Sequence, residues 1–128
     1  TYQFKLLEHL LPTENNPACR KTYLDSVKKY ISEEAIYDCE PWMASETFSY
    51  MCSLFPGIET FVGIKNDQLG SGANHHTPEF DLDEDGLIYG TAAAVSYVLG
   101  YFENTPDTSA FQPVYNSVSD LIATFSKK

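Results

Sequence analysis

Basic residues are scarce in this chain. Eight Lys and Arg stand against 18 Asp and Glu, for a formal net charge of −10. A surface of that sign is repelled by phosphate backbones and by anionic lipid, which argues against nucleic acid and membrane as partners. No apolar run approaches the ~20 residues of a membrane-spanning helix, and no signal peptide is visible at the N-terminus. Cysteine is limited to Cys19, Cys39 and Cys52. An odd number at wide, irregular spacing does not form a disulfide framework, and no pair has the C-x-x-C spacing of a zinc ribbon or redox site. The three read as reduced, mostly buried thiols of a cytoplasmic protein. Histidine is equally sparse, at His9, His75 and His76. No nucleophile elbow or Ser/His/Asp order can be assembled, and Gly70-Ser71-Gly72 is too short for a phosphate loop and leads into no helix. With Asp81 as the first position of an EF-hand loop, Gly86 falls at the sixth but Ala92 at the twelfth, where a glutamate is needed.

Hydrophobic periodicity supplies the elements. Residues 1–7 alternate, with Tyr2, Phe4 and Leu6 on one side, and read as a half-buried strand. Asn16 followed by Pro17 opens an amphipathic helix over residues 17–31, carried by Leu24, Val27, Tyr30 and Ile31. Residues 35–42 read as a strand ended by Pro41, and residues 45–55 as a short helix stopped by Pro56-Gly57. Residues 59–64 form a buried-type strand, and 66–74 a Gly/Ser loop. The longest helix covers residues 83–102, with acids in its first turn. Gly86, Gly90 and Ala92–Ala94 make part of it small-sided, which is tolerable where another backbone packs closely, so it should lie tight against the sheet. A last helix follows from the spacing of Phe111, Val114, Tyr115, Val118, Leu121, Ile122 and Phe125. The order β-α-β-α-β-loop-α-α indicates an α/β layer structure.

Two places could carry chemistry. His75-His76 ends the Gly/Ser loop ahead of Pro78, and imidazole is the commonest protein ligand for zinc-like metals. Read from composition alone, the pair is a pair of solvated loop histidines, because zinc takes three or four ligands. Ser45-Glu46-Thr47-Phe48 is a strand-to-helix turn whose N–H groups could meet a substrate carboxylate, or simply an ordinary helix cap. Asp81, Asp83, Glu84 and Asp85 read as helix-start residues and solvated surface.

Four blocks in order resemble one family: Met43-Ala44-Ser45-Glu46-Thr47-Phe48-Ser49-Tyr50, Phe55-Pro56-Gly57, Phe61-Val62-Gly63, and His75-His76-Thr77-Pro78-Glu79-Phe80-Asp81-Leu82-Asp83-Glu84. It is the metal-dependent amidohydrolase and metallopeptidase family of aminoacylases, hippurate hydrolases and indole-acetyl-amino-acid hydrolases. The resemblance runs from about Thr1 to Phe102 and covers only the C-terminal third or so of such an enzyme. It implies a partial three-layer α/β sheet domain of zinc-peptidase type. Residues 1–11 would be the last strand of a missing lid or dimerisation domain, 12–104 the C-terminal part of the catalytic domain, and 105–128 an added helix.

The resemblance further implies two divalent metal ions (zinc, manganese or cobalt) in the full-length enzyme, with none held by this segment alone. It matches His76 to the late histidine ligand, with His75 as the alternative, and Ser45, Glu46 and Thr47 to a substrate-binding turn in which Thr47 replaces the family's aspartate. The catalytic general base is expected upstream. The expected activity is hydrolysis of the amide bond of N-acyl amino acids or short peptides by a cytoplasmic homodimer, with the isolated segment inactive. A different reading makes the chain a non-catalytic binding or assembly module that reuses the half-domain.

Overall fold

A computed structural model describes residues 10–126. Among them lie α1 (Pro17–Tyr30), a 3-10 turn (Glu33–Ala35), α2 (Phe48–Cys52), α3 (Asp85–Glu103) and α4 (Val118–Ser126). The chain divides into two compact units. Among the described residues, the first takes 10–21, 38–59 and 106–126, the second 22–37 and 60–105. The strand expected over residues 1–7 lies outside the described residues.

The expected α/β sheet is not found: no strand is present among the described residues. Residues 36–42 and 59–64 take no regular structure. The physical reason is that a strand exists only through a neighbour that satisfies its N–H and C=O groups. In the first unit a side chain takes part of that role. Asn15 accepts from the Glu59 N–H at 2.7 Å and donates from Nδ2 to the Glu59 carbonyl at 2.8 Å. The Asn16 N–H reaches the Gly57 carbonyl at 2.9 Å.

The first unit also contains the start of α1, capped as expected, with Asn16 Oδ1 accepting from the N–H groups of Ala18 and Cys19 at 3.1 and 3.2 Å. α2 is shorter than expected and begins at Phe48, because Glu46 and Thr47 close i to i+3 turns rather than a helical turn. The terminal helix begins at Val118 rather than near Phe111. Ser117 Oγ accepts from the Asp120 N–H at 3.1 Å, while Asp120 Oδ2 accepts from the Asn116 N–H at 3.3 Å, a reciprocal cap. The N–H of Val114 instead donates to the Ser53 carbonyl at 2.8 Å. Phe125 meets Tyr50 edge-on, with ring centroids 5.6 Å apart, and Cys19, Leu54 and Leu121 are buried.

In the second unit α3 packs through its small residues, but against α1 and the chain at Val62–Ile64 rather than a sheet. A methyl group on Gly90 would stand 3.2 Å from Val62 Cγ2, one on Gly86 3.1 Å from the Gly63 carbonyl, and one on Gly100 only 1.8 Å from Ser26 Oγ. At the far end of α3, Glu103 takes hydrogen bonds from Lys29 Nζ and the Tyr30 hydroxyl. Those two bonds hold its carboxyl below the usual range.

Candidate functional site

The loop that carries the two histidines belongs to the second unit. Its base is closed by Asn66, Ser71 and Asp83. Asn66 Nδ2 donates to Asp83 Oδ2 at 2.7 Å, and Ser71 Oγ accepts from the Asn66 N–H at 2.8 Å and donates to the Ile64 carbonyl at 3.1 Å. The Asp83 N–H donates to the same Ile64 carbonyl at 2.9 Å. Asp83 Oδ1 takes the N–H of Asp85, the first residue of α3, at 3.1 Å. Two glycines make the return possible. Gly70 has φ 74° and Gly72 φ 114°, and a side chain at Gly72 would run into Lys65.

Beyond that base the chain turns at the histidines. Thr77 Oγ1 donates to the Asn74 carbonyl at 2.8 Å, and the Phe80 N–H donates to the Thr77 carbonyl at 3.1 Å. His76 sits at φ 63°, the one non-glycine residue with positive φ among those described. That region costs an L-residue energy, and strain of this kind clusters at functional sites. His75 is placed differently: its ring meets Phe80 edge-on at 5.2 Å. Both histidines are exposed.

Ser45, Glu46 and Thr47 belong to the first unit and are exposed. Ser45 and Glu46 precede α2, and Thr47 takes its N-cap position with helical dihedrals (φ −67°, ψ −18°), so its side chain makes no cap bond. Sequence reading missed Asn66, Ser71 and Asp83 as partners of one another. The signal available was an Asx turn, Asn66 Oδ1 accepting from the Gln68 N–H at 3.0 Å, inside a Gly/Ser loop.

No group of three or more His, Cys, Asp or Glu that could hold a metal converges among the described residues. An exposed imidazole on a strained turn fits the part of a single ligand given to a centre built from further residues. The three thiols are free, with Cys39 exposed rather than buried. Burial, and secondarily the nearby Glu59 carboxylate, pushes the Cys52 thiol above its usual range. No helix among the described residues is long and apolar enough to cross a membrane.

Known proteins resemble this chain over most of its length. It is 32% identical over 96 residues to IAA-amino acid hydrolase ILR1-like 2 of Arabidopsis thaliana, covering 75% of this chain and 22% of that protein. It is 33% identical over 95 residues to thermostable carboxypeptidase 2 of Saccharolobus solfataricus, covering 73% and 23%. It is 35% identical over 88 residues to the N-acetyldiaminopimelate deacetylase of Streptococcus pneumoniae, covering 69% and 22%. The chain thus spans roughly a fifth of the length of the curated relatives it matches. No family model matches it, and no solved structure gives a significant match. A hydrolase, a peptidase and a deacetylase share the cleavage of amide bonds, and over the matched part of its length this chain belongs to the amidohydrolase family that those relatives represent.

Proposed function

We propose that this chain is the C-terminal part of a metal-dependent amidohydrolase that cleaves the amide bond of N-acyl amino acids or short peptides. The observation that carries the proposal is the left-handed turn at His76, on a loop clasped to the start of α3, within a stretch that aligns with amide-cleaving relatives. In this reading His76 is the metal ligand. His75 is the less suited of the two, since its ring packs on Phe80. Ser45, Glu46 and Thr47 contribute exposed polar groups to substrate binding. A divalent pair (zinc, manganese or cobalt), held in part by His76, would supply carbonyl polarisation and a nucleophilic water. The residues of this chain hold and orient; the general base and the remaining ligands come from the rest of the enzyme, which is read as a cytoplasmic homodimer.

The test compares the 128-residue chain with the longer gene product that contains it. Both are assayed for tightly bound metal and for release of amino acid from N-acetyl amino acids. Metal and turnover in the longer protein, both lost in His76→Ala and absent from the short chain, support the proposal. Robust hydrolysis by the short chain, or a longer protein indifferent to His76, refutes it.

A further inference from the structure

We infer that Asn66 and Asp83 are positioning residues that set where His76 stands; the inference rests on the reading of His76 as a metal ligand. His76 lies ten residues after Asn66 and seven before Asp83. Near the tip, the bonds from Thr77 to Asn74 and from Phe80 to Thr77 join neighbours three residues apart. The base ties the loop to the helical framework. The Asp83 carboxylate is used on both oxygens: Oδ2 receives the Asn66 amide at 2.7 Å and Oδ1 receives the first N–H of α3 at 3.1 Å. One side chain thereby joins the outgoing end of the loop to its incoming end and to the helix. Ser71, only 5% exposed, adds a second tie through the Asn66 N–H and the Ile64 carbonyl. Asn66 and Asp83 are themselves half-buried, where a charge-assisted hydrogen bond is less exposed to competition from water.

The geometry makes Asp83 more than a helix-start acid. A carboxylate serving only the dipole of α3 would be satisfied by the Asp85 N–H and solvent. Here it also fixes the loop closure. Groups hydrogen-bonded directly to a metal ligand typically change metal affinity by about ten- to a hundredfold when removed; Asn66 and Asp83 act through the loop rather than by touching His76, so the lower end of that range is the expectation.

The experiment is zinc titration of the full-length protein carrying Asn66→Ala, Asp83→Asn, or the exchanged pair Asn66→Asp with Asp83→Asn, each beside His76→Ala. Melting of the metal-free forms identifies any variant that has simply failed to fold. The exchanged pair restores a side-chain hydrogen bond between the two positions and keeps acceptors for the Gln68 and Asp85 N–H groups. Asn66→Ala is expected to weaken zinc binding up to about tenfold, the exchanged pair to recover most of that loss, and Asn66→Ala to add nothing once His76 is alanine. Unchanged zinc affinity in Asn66→Ala, or an exchanged pair as weak as the single variants, overturns the clasp while leaving His76 as a ligand. A His76→Ala protein that binds zinc normally removes the ligand reading, and the positioning role with it.

Discussion

At the residue scale, the ligand role proposed for His76 and its backbone geometry make opposed demands. Its left-handed backbone costs a non-glycine residue about 1 kcal/mol, and glycine would adopt it freely. His76→Gly is therefore expected to raise the stability of the metal-free protein by up to ~1 kcal/mol, read by denaturant unfolding, while weakening metal binding in the full-length protein. A loss of stability would show that the imidazole has packing contacts that outweigh the strain. The cysteines give a second residue-scale expectation. Cys39 is exposed, Cys52 is half-buried with its thiol pushed up by burial, and Cys19 is 3% exposed. Alkylation at neutral pH, followed by mass spectrometry, should modify Cys39 first, Cys52 slowly and Cys19 only on unfolding, because the thiolate is the reacting form and must be reached.

At the scale of elements, what the sequence revealed is what local chemistry decides. Asn16-Pro17 and the spacing of Leu24, Val27 and Tyr30 are enough to place α1, and the long apolar run after Asp85 is enough to place α3. Strands over residues 35–42 and 59–64 were legible only as propensity. A strand needs a neighbour, and the described residues supply a side-chain amide at Glu59 instead. The terminal helix was misplaced for a different reason. Phe111, Val114 and Tyr115 keep helical spacing, yet the Val114 N–H is taken by Ser53, and the Ser117/Asp120 cap starts the helix only afterwards. At the site, the His75-His76 loop was legible as a motif, whereas its clasp was not, because Asn66 and Asp83 are 17 residues apart and meet only in the fold.

The packing of α3 against α1 gives the prediction that belongs to this scale. Gly100→Ala would bring a methyl group 1.8 Å from Ser26 Oγ and 3.0 Å from its Cβ. Overpacking of that kind is expected to cost about 1–3 kcal/mol in thermal or denaturant unfolding. Ser26→Ala should recover more than half of it, since it deletes the atom in conflict and sacrifices only a bond to the Thr22 carbonyl four residues back. Full stability in Gly100→Ala alone would mean that the two helices do not meet as described.

For the whole molecule, charge and apolar surface pull in different directions. The net charge of −10 favours solubility. Yet α3 has no lysine or arginine, and it leaves Leu87, Ile88, Val95, Leu99 and Phe102 open on the side opposite its glycines. A helix apolar on all sides is normally buried on all sides. The isolated chain is therefore expected to bind a hydrophobic dye such as ANS, with the signal falling by roughly half or more in Ile88→Lys with Val95→Lys, the two sites being 68% and 53% exposed. Unchanged dye binding in that variant would place the accessible apolar surface elsewhere.

The pairing of Asn15 with Glu59 also links the fold to the protein's chemical lifetime. The bond pair works because an amide presents one donor and one acceptor, matched to one C=O and one N–H. Slow deamidation would replace that donor with a second oxygen, which faces the Glu59 carbonyl and repels it. An aged sample carrying aspartate at this position keeps its length, gains one negative charge, and is expected to expose the Glu59 backbone to faster hydrogen exchange than fresh protein.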